Sequence, residues 1–577
     1  MRVVLDIETN KLRNPDKIWC IVAKNISTGQ VYEWTGNRIR NFVAFSKRID
    51  QAVGHNIIDF DAPVLRRLLG IEFPDNALYD TLVVSRLINY RLEGGHSLEN
   101  WGKELKHPKV GLDITDWSTY SPEMLERCHN DVELNHKLYN HLNHRNRIAN
   151  KGAFNEAIKC EMAIAGVCHD MHSNGFKFNK AAADQLCTDL EGRIGAIDGE
   201  LEKAFPPIIK IKELKTKTKT ISVPFNPASP KQIVERLKGF WKPKEKTEKG
   251  QAKINEANLA TLREDAPVAC KRLVERLLLT GRQRALRQWI DAYDEVSQRV
   301  HPRFIGIGTW THRMAHREPN LGNIAAPKSI KYKGRELADL ATSLGSRMRG
   351  LWTATPGESW LVGCDAEGIQ LRVFAHYIDE EEFTNAVVSG KKEEGTDPHS
   401  LNAGKLGCER DPAKTFIFAF LLGAGDSKLA EILGRNKRAG AELREQFIKA
   451  YPGLERLKLQ DIPRDAKNRG FRGFDGRLIA CDSEHLMMAG YLQTGEACIM
   501  KHANLLWRKE LDGLGIRYKQ VNFVHDEYQT EVIGSRAEAQ EVGAIQARSI
   551  RLVGEHFGLR CPMAGSYRVG QNWLETH

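Results

Sequence analysis

Apolar and polar positions alternate over short spans at the start of the chain. R-V-V-L-D-I-E reads as a strand, W-C-I-V-A-K-N as a second and T-G-Q-V-Y-E-W as a third, with T-G and G-N marking turns. From about residue 60 the apolar positions recur every three or four residues, in A-P-V-L-R-R-L-L-G, D-T-L-V-V-S-R-L-I-N-Y-R-L and P-E-M-L-E-R-C-H-N-D-V-E-L-N-H-K-L. That is a helical period, so residues 1–150 are expected to form an α/β domain with helices packed on a mixed sheet. Residues 155–300 read as long helices interrupted by K-I-K-E-L-K-T-K-T-K-T-I-S-V-P and F-W-K-P-K-E-K-T-E-K-G-Q-A-K. By composition these two stretches are weakly structured, either a solvated loop or a basic tip that touches phosphates. Beyond residue 300, strand-like pieces (P-R-F-I-G-I-G-T-W, S-W-L-V-G-C-D, V-N-F-V-H-D-E-Y-Q-T-E-V) alternate with helices, and a strand ends in a carboxylate twice, at Asp365 and Asp526.

Composition narrows the class. A chain of 577 residues has room for several domains, and 41% hydrophobic content supplies their cores. Basic residues exceed acidic ones by 11, which favours an acidic partner such as nucleic acid. The eleven cysteines form no C-x-x-C pair, so neither a disulfide framework nor a zinc site is indicated. The opening M-R-V-V-L-D-I-E-T-N has no charged leader before a long apolar core, and no run approaches eighteen apolar residues. A cytoplasmic protein with no membrane partner is expected.

In R-D-P-A-K-T-F-I-F-A-F-L-L-G, Arg410, Lys414, Phe418 and Leu422 recur every four residues, which places them on one helix face with two cations followed by a flat ring. This segment resembles the nucleotide-binding finger helix of family A DNA polymerases, with Arg410, Lys414, Phe418 and Gly423 matching and Leu422 standing where the family usually has Tyr. L-V-G-C-D-A-E-G-I-Q-L-R-V-F-A-H-Y resembles the first palm motif of that family, and N-F-V-H-D-E-Y-Q-T-E-V the second. The resemblance implies a right-hand polymerase in which Asp365 and Asp526 hold two Mg²⁺ ions, or Mn²⁺, with Glu527 beside them. Two ions about 4 Å apart bridge the reacting oxygens in such chemistry, and carboxylates are the hard ligands they prefer. Arg410 and Lys414 would neutralise the triphosphate of a dNTP, with His399 near its β-phosphate. Gln370 stands where the family usually has a Glu that excludes ribonucleotides by crowding the sugar. G-T-W-T-H-R-M-A-H-R-E-P-N-L-G-N-I-A and Y-L-Q-T-G-E-A-C-I-M are similar to further family segments, which makes Arg313 and Gln493 contacts to primer-template DNA, and the resemblance adds His525 of the second palm motif to them. The set looks closest to replicative polymerases of podovirus-type bacteriophages.

At the N-terminus, Asp6 and Glu8 lie two apart on the first predicted strand and so share a face. Two carboxylates on one face repel each other unless a cation lies between them. G-H-N-I-I-D-F-D-A-P-V-L and E-R-C-H-N-D-V-E-L-N-H-K-L resemble the second and third motifs of DEDD-type 3′–5′ exonucleases, adding Asp61 and Asp131 to a second two-metal centre. Asp59 and Asp80 compete with Asp61 for that role, and spacing from His55 and Asn56 favours Asp61. Where the two exonuclease subclasses place Tyr or His before the last Asp, this chain has Arg127 and Glu126. The resemblance implies an RNase H-like exonuclease over 1–150, thumb and connecting helices over 155–300, and palm and fingers over 300–577, with the fingers at about 395–480. A monomer is expected, with a replisome helicase–primase as candidate partner. Phage enzymes of this kind can carry a thumb insertion before an F-N-P-x-S segment that recruits thioredoxin. Here F-N-P-A-S begins at Phe225, only about fifty residues after N-G-F at Asn174, so thioredoxin is not an expected partner.

Overall fold

The three alternating runs at the N-terminus form strands Arg2–Thr9 (β1), Ile18–Asn25 (β2) and Val31–Thr35 (β3), as their two-residue period requires. The structure is a computed structural model that describes all residues except 75, 109–113, 215–216, 244, 248, 260, 264, 326 and 328–334. Strands Gln51–Gly54 (β4) and Leu78–Asp80 (β5) complete a sheet of order β3-β2-β1-β4-β5, antiparallel on the β2 side of β1 and parallel on the β4 side. Val3, Leu5 and Ile7 of β1 face one apolar layer with Val64 and Leu65, while Val4 faces another with Cys128, Val132 and Leu138 of helix Pro122–Asn143. The pleat therefore turns Asp6 and Glu8, on the same side as Val4, toward that helix.

A second sheet is antiparallel throughout. Ser359–Ala366 lies between Glu527–Ile533 and Gly565–Gly570, and Tyr518–Val524 pairs with the outer side of Glu527–Ile533. Its core merges Val362, Cys364, Tyr528 and Val532 with Met500 and Trp507 of helix Glu484–Leu514 and Val542 and Ile550 of helix Arg536–His556. V-N-F-V-H-D-E-Y-Q-T-E-V is two strands rather than one, with His525 and Asp526 as the turn between them. His525 takes the left-handed φ of 53° that this tight connection needs.

The Lys-rich stretch departs from its compositional reading. Strands Ile208–Leu214 and Lys217–Val223 pair as an antiparallel hairpin, and residues 215–216 lie outside the described residues. I-I-K-I-K-E-L and K-T-K-T-I-S-V are rich in β-branched residues, and that strand signal outweighs the lysine count. The interval before Phe225 is thus filled by this hairpin and helix Lys180–Ala204.

A buried charge network joins distant parts of the chain. Arg477 pairs with Asp475 at 2.6 Å and Glu161 at 2.7 Å, and Lys501 with Glu161 at 2.6 Å, all nearly inaccessible to solvent. Lys501 Nζ also donates to the His312 carbonyl at 2.8 Å, which fixes the loop that carries Arg313. Burying these charges is tolerable only because each is paired, and removing one partner would strand the other.

Candidate active sites

In the palm, strand register sets Asp365 directly opposite Glu527, and the Ala366 N–H donates to the Asp526 carbonyl at 2.9 Å. Burial, then the charges of Asp526 and Glu527, push Asp365 up to about 7; burial and the nearby Glu496 raise Asp526 to about 6. Glu527 behaves oppositely. One of its oxygens accepts from Trp573 Nε1 at 2.6 Å and Gln529 Nε2 at 2.5 Å, and the other meets His577 Nδ1 at 2.9 Å. Although burial opposes it, these partners hold Glu527 below the ordinary carboxylate range. Gly363 makes this possible, because a Cβ there would lie 2.1 Å from the Thr576 carbonyl and block the segment that delivers Trp573 and His577.

Helix Arg410–Leu421 buries Ala413, Phe416, Ile417, Phe420 and Leu421, leaving Arg410, Lys414 and Phe418 on its open face. Leu422, at the C-cap, continues that face and is half exposed. Gly423 follows with φ of 82°, and a Cβ there would lie 2.9 Å from the His485 carbonyl, a place only glycine fills without strain. Arg410 is held from below by both oxygens of Asp397, at 3.0 and 3.1 Å. Against the effect of its own burial, this fork with Ser400 and the His399 N–H keeps Asp397 far below its usual range. The His399 ring lies 5.9 Å from that of Phe418, and its buried Nδ1 has no hydrogen-bond partner among the described residues.

The third part of this centre joins residues far apart in sequence. Glu496, on helix Glu484–Leu514, is 1% exposed; its Oε2 pairs with Arg313 and accepts from Gln370 Nε2 at 2.9 Å, while Oε1 has no hydrogen-bond partner among the described residues. Gln493, one turn earlier, accepts from Thr311 at 3.2 Å. Sequence reading missed both Glu496 and Asp397. A carboxylate among apolar residues in Q-T-G-E-A-C-I-M was the available signal for the first, and the N-cap pattern D-P-H-S for the second.

At the N-terminal centre, ligand oxygens of Asp6, Glu8 and Asp131 lie within 4.8 Å of one another. Asp61, the first residue of helix Asp61–Leu69, stands outside that closest trio but within the field of Glu8. Burial chiefly, then Asp80 and Glu8, raise Asp61 to about 7. Its two competitors have other work. Asp80 accepts from the Asn56, Ile58 and Leu82 N–H groups at 2.9 to 3.3 Å, and Asp59 pairs with His169 and Arg303. His129 points away, to Glu33 at 2.9 Å, and Glu126 is exposed. Arg127 turns inward, its Nε 3.1 Å from Glu8 and 4.0 Å from Asp131.

Paired aspartates on an antiparallel palm, together with a helix that carries two cations and a ring on its open face, define a polymerase of the right-hand fold. The model of DNA polymerase family A matches residues 208–575, and the chain belongs to that family, whose members synthesise DNA on a template and use divalent metal ions. It is 25% identical to the DNA-directed DNA polymerase of Escherichia phage T7 and 26% to that of Enterobacteria phage T3, each over the whole of both chains. Identity to DNA polymerase I of Aquifex aeolicus (strain VF5) is 27%, over 91% of this chain and 88% of that one. In fold, it superposes on the POL domain of Pol1 from M. smegmatis, solved in complex with DNA primer-template and dNTP, with a TM-score of 0.79 and 16% identity over 100% of this chain and 96% of that one. Among the described residues no helix is long and apolar enough to cross a membrane.

Proposed function

We propose that the chain extends a DNA primer at the palm and excises 3′-terminal nucleotides at the N-terminal carboxylates. The observation that carries the first activity is the strand register that brings Asp365 and Asp526 together, in a chain whose helix Arg410–Leu421 keeps Arg410, Lys414 and Phe418 on an open face. Two carboxylates with raised pKa values are hard oxygen donors suited to a pair of Mg²⁺ ions, or Mn²⁺. Bound there, the ions supply activation of the primer hydroxyl and charge stabilisation at the α-phosphate. The chain's own residues set the geometry. Lys414 and Arg410 offset the triphosphate charge, with Arg410 aimed by its fork on Asp397. Phe418, backed by His399, presents a flat wall to the sugar, and Gln370 excludes a 2′ hydroxyl by bulk. Arg313, Gln493 and His525 bind primer-template DNA. Glu527, with both oxygens engaged, positions its strand end and acts through Asp365.

For excision, Asp6, Glu8, Asp61 and Asp131 supply the same hard donors, which fits a second ion pair around the scissile phosphate. In this reading residues 1–150 are the exonuclease, 155–300 the thumb and connecting helices, and 300–577 the palm and fingers, with fingers at about 395–480. The enzyme works as a monomer, without thioredoxin, with a helicase–primase as replisome partner. The test is extension of a labelled primer with Mg²⁺ and dNTPs, repeated with rNTPs. Extension by dNTPs and not rNTPs is expected, and extension by rNTPs alone would sink the reading.

A further inference from the structure

Arg127 is a cation set directly against two carboxylates of the N-terminal centre. It lies one turn before Asp131 on helix Pro122–Asn143, and the four-residue spacing puts both side chains on one face. Its Nε stands 3.1 Å from Glu8 Oε1 and 4.0 Å from Asp131 Oδ2, while the far side of the guanidinium lies over the Trp117 ring, 5.3 Å from its centre. Glu8 and Asp131 are largely buried, with side-chain exposures of 13% and 6%. The guanidinium is thus fixed between an indole and two largely buried carboxylates. It touches two of the three side chains whose oxygens converge within 4.8 Å.

We propose that Arg127 is a resident cation of the N-terminal site: it competes with divalent ions for Glu8 and Asp131 and so sets the metal concentration at which that site acts. The inference rests on reading the trio as a metal-dependent nuclease centre, and it deepens that reading. A divalent ion can bind only by sharing these carboxylates with a fixed positive charge or by displacing it, and both lower its affinity. Among the described residues no Lys or Arg is ion-paired with Asp365 or Asp526, Arg349 reaching Asp365 only through its field, so metal concentration tilts the balance between synthesis and excision. Low metal favours synthesis.

The test uses the full chain carrying Asp365→Ala and Asp526→Ala, so that strong Mn²⁺ binding reports the N-terminal site. Mn²⁺ affinity is measured by electron paramagnetic resonance of the free ion, for Arg127, Arg127→Met and Arg127→Lys. The Met variant is expected to bind at least about tenfold more tightly, because a direct ionic competitor is gone. Lys, which keeps the charge, should stay within a few fold of Arg. In parallel, the Mn²⁺ concentration for half-maximal excision of a labelled single strand should fall by the same factor in the Met variant. Unchanged Mn²⁺ affinity in the Met variant overturns the proposal, and if excision is then lost Arg127 contacts the substrate phosphate instead. Tighter Mn²⁺ binding that Asp6→Ala abolishes, with no excision by any chain, upholds the resident cation and overturns the nuclease reading. Absence of Mn²⁺ binding from all three chains overturns both.

Discussion

The palm and the N-terminal sheet each gather carboxylates at a strand end, but they deal with the resulting repulsion differently. In the palm, partners concentrate on Glu527, which His577, Trp573 and Gln529 hold down, while Asp365 and Asp526 are left with raised pKa values of about 7 and 6. At the N-terminus the partner is a fixed cation placed on the ligands themselves, Arg127 on Glu8 and Asp131. The first arrangement stores repulsion that a bound ion relieves. The second has already relieved part of it. Metal dependence is therefore a property of second neighbours as much as of ligands, and two centres with the same donor chemistry need not share one threshold.

The sharpest break in this comparison is deletion of one centre at a time. Asp365→Ala or Asp526→Ala should lower primer extension by about a thousandfold or more while mismatched 3′ ends are still removed, because the ion pair loses a ligand. Asp6→Ala should do the converse. Paired extension and excision assays at physiological magnesium check both, and normal extension by either palm variant would defeat the assignment.

A smaller effect is expected at Phe418. A deoxynucleotide's 3′ hydroxyl can donate to its own β-phosphate, and a dideoxynucleotide leaves that charged acceptor unpaired against a phenyl ring. One such hydrogen bond is worth roughly 1.5–3 kcal/mol, so the chain should reject dideoxynucleotides about tenfold to a hundredfold, and Phe418→Tyr should largely erase the preference. Competitive incorporation in the Asp6→Ala background measures insertion alone. Equal incorporation without the substitution would show that Phe418 does not face the sugar.

Gln370 offers a still smaller and more local test. Its amide donates to Glu496 at 2.9 Å, so Gln370→Glu would set two carboxylates against each other in a buried place beside Asp526. We expect kcat/KM for dNTPs to fall about tenfold, and the reciprocal pair Gln370→Glu with Glu496→Gln to recover most of the loss. A double variant no better than the single one would separate Glu496 from Gln370. Such non-additivity should be confined to the palm.

Much of this was legible along the chain, for identifiable reasons. β1 to β3 announce themselves because one face is apolar and the other polar, and helix Arg410–Leu421 because four open-face residues recur at one period. The hairpin at Ile208–Val223 was obscured because lysines in a strand read as solvated loop when counted rather than placed. Contacts between Arg127 and Glu8, or Glu496 and Gln370, depend on how a helix docks more than a hundred residues away from its partner. No local pattern encodes that docking. Asp397 was overlooked because N-caps are common, and only the fork to Arg410 gives this one a further role.

The smallest effect concerns acid and again divides the two regions. His316 is buried, donates from Nε2 to the Phe523 carbonyl at 2.9 Å on the strand leading to Asp526, and has no partner for Nδ1 among the described residues. Burial chiefly lowers its pKa from 6.5 to about 4, because protonating Nδ1 would leave an unpaired charge in the core. The folded pKa lies below the unfolded one, so the sign follows directly: above pH 6.5 both states are neutral and the stability is whole. As pH falls from 6.5 toward 4 the unfolded chain takes a proton that the fold refuses, and stability is lost. Between pH 7.5 and 6 the loss is about 1 kcal/mol. His316→Gln keeps a donor for the Phe523 carbonyl but does not titrate, and other titrating groups, Asp365 and Asp526 among them, cancel when the two proteins are compared. Denaturant unfolding at pH 7.5 and 6 should show the variant gaining about 1 kcal/mol relative to the unsubstituted chain, with the change in hydrogen exchange confined to Tyr518–Val524 and absent from β1. An equal change in both sheets would mean that the palm hairpin and the N-terminal sheet open as one unit, and that their two carboxylate centres are not independent in acid.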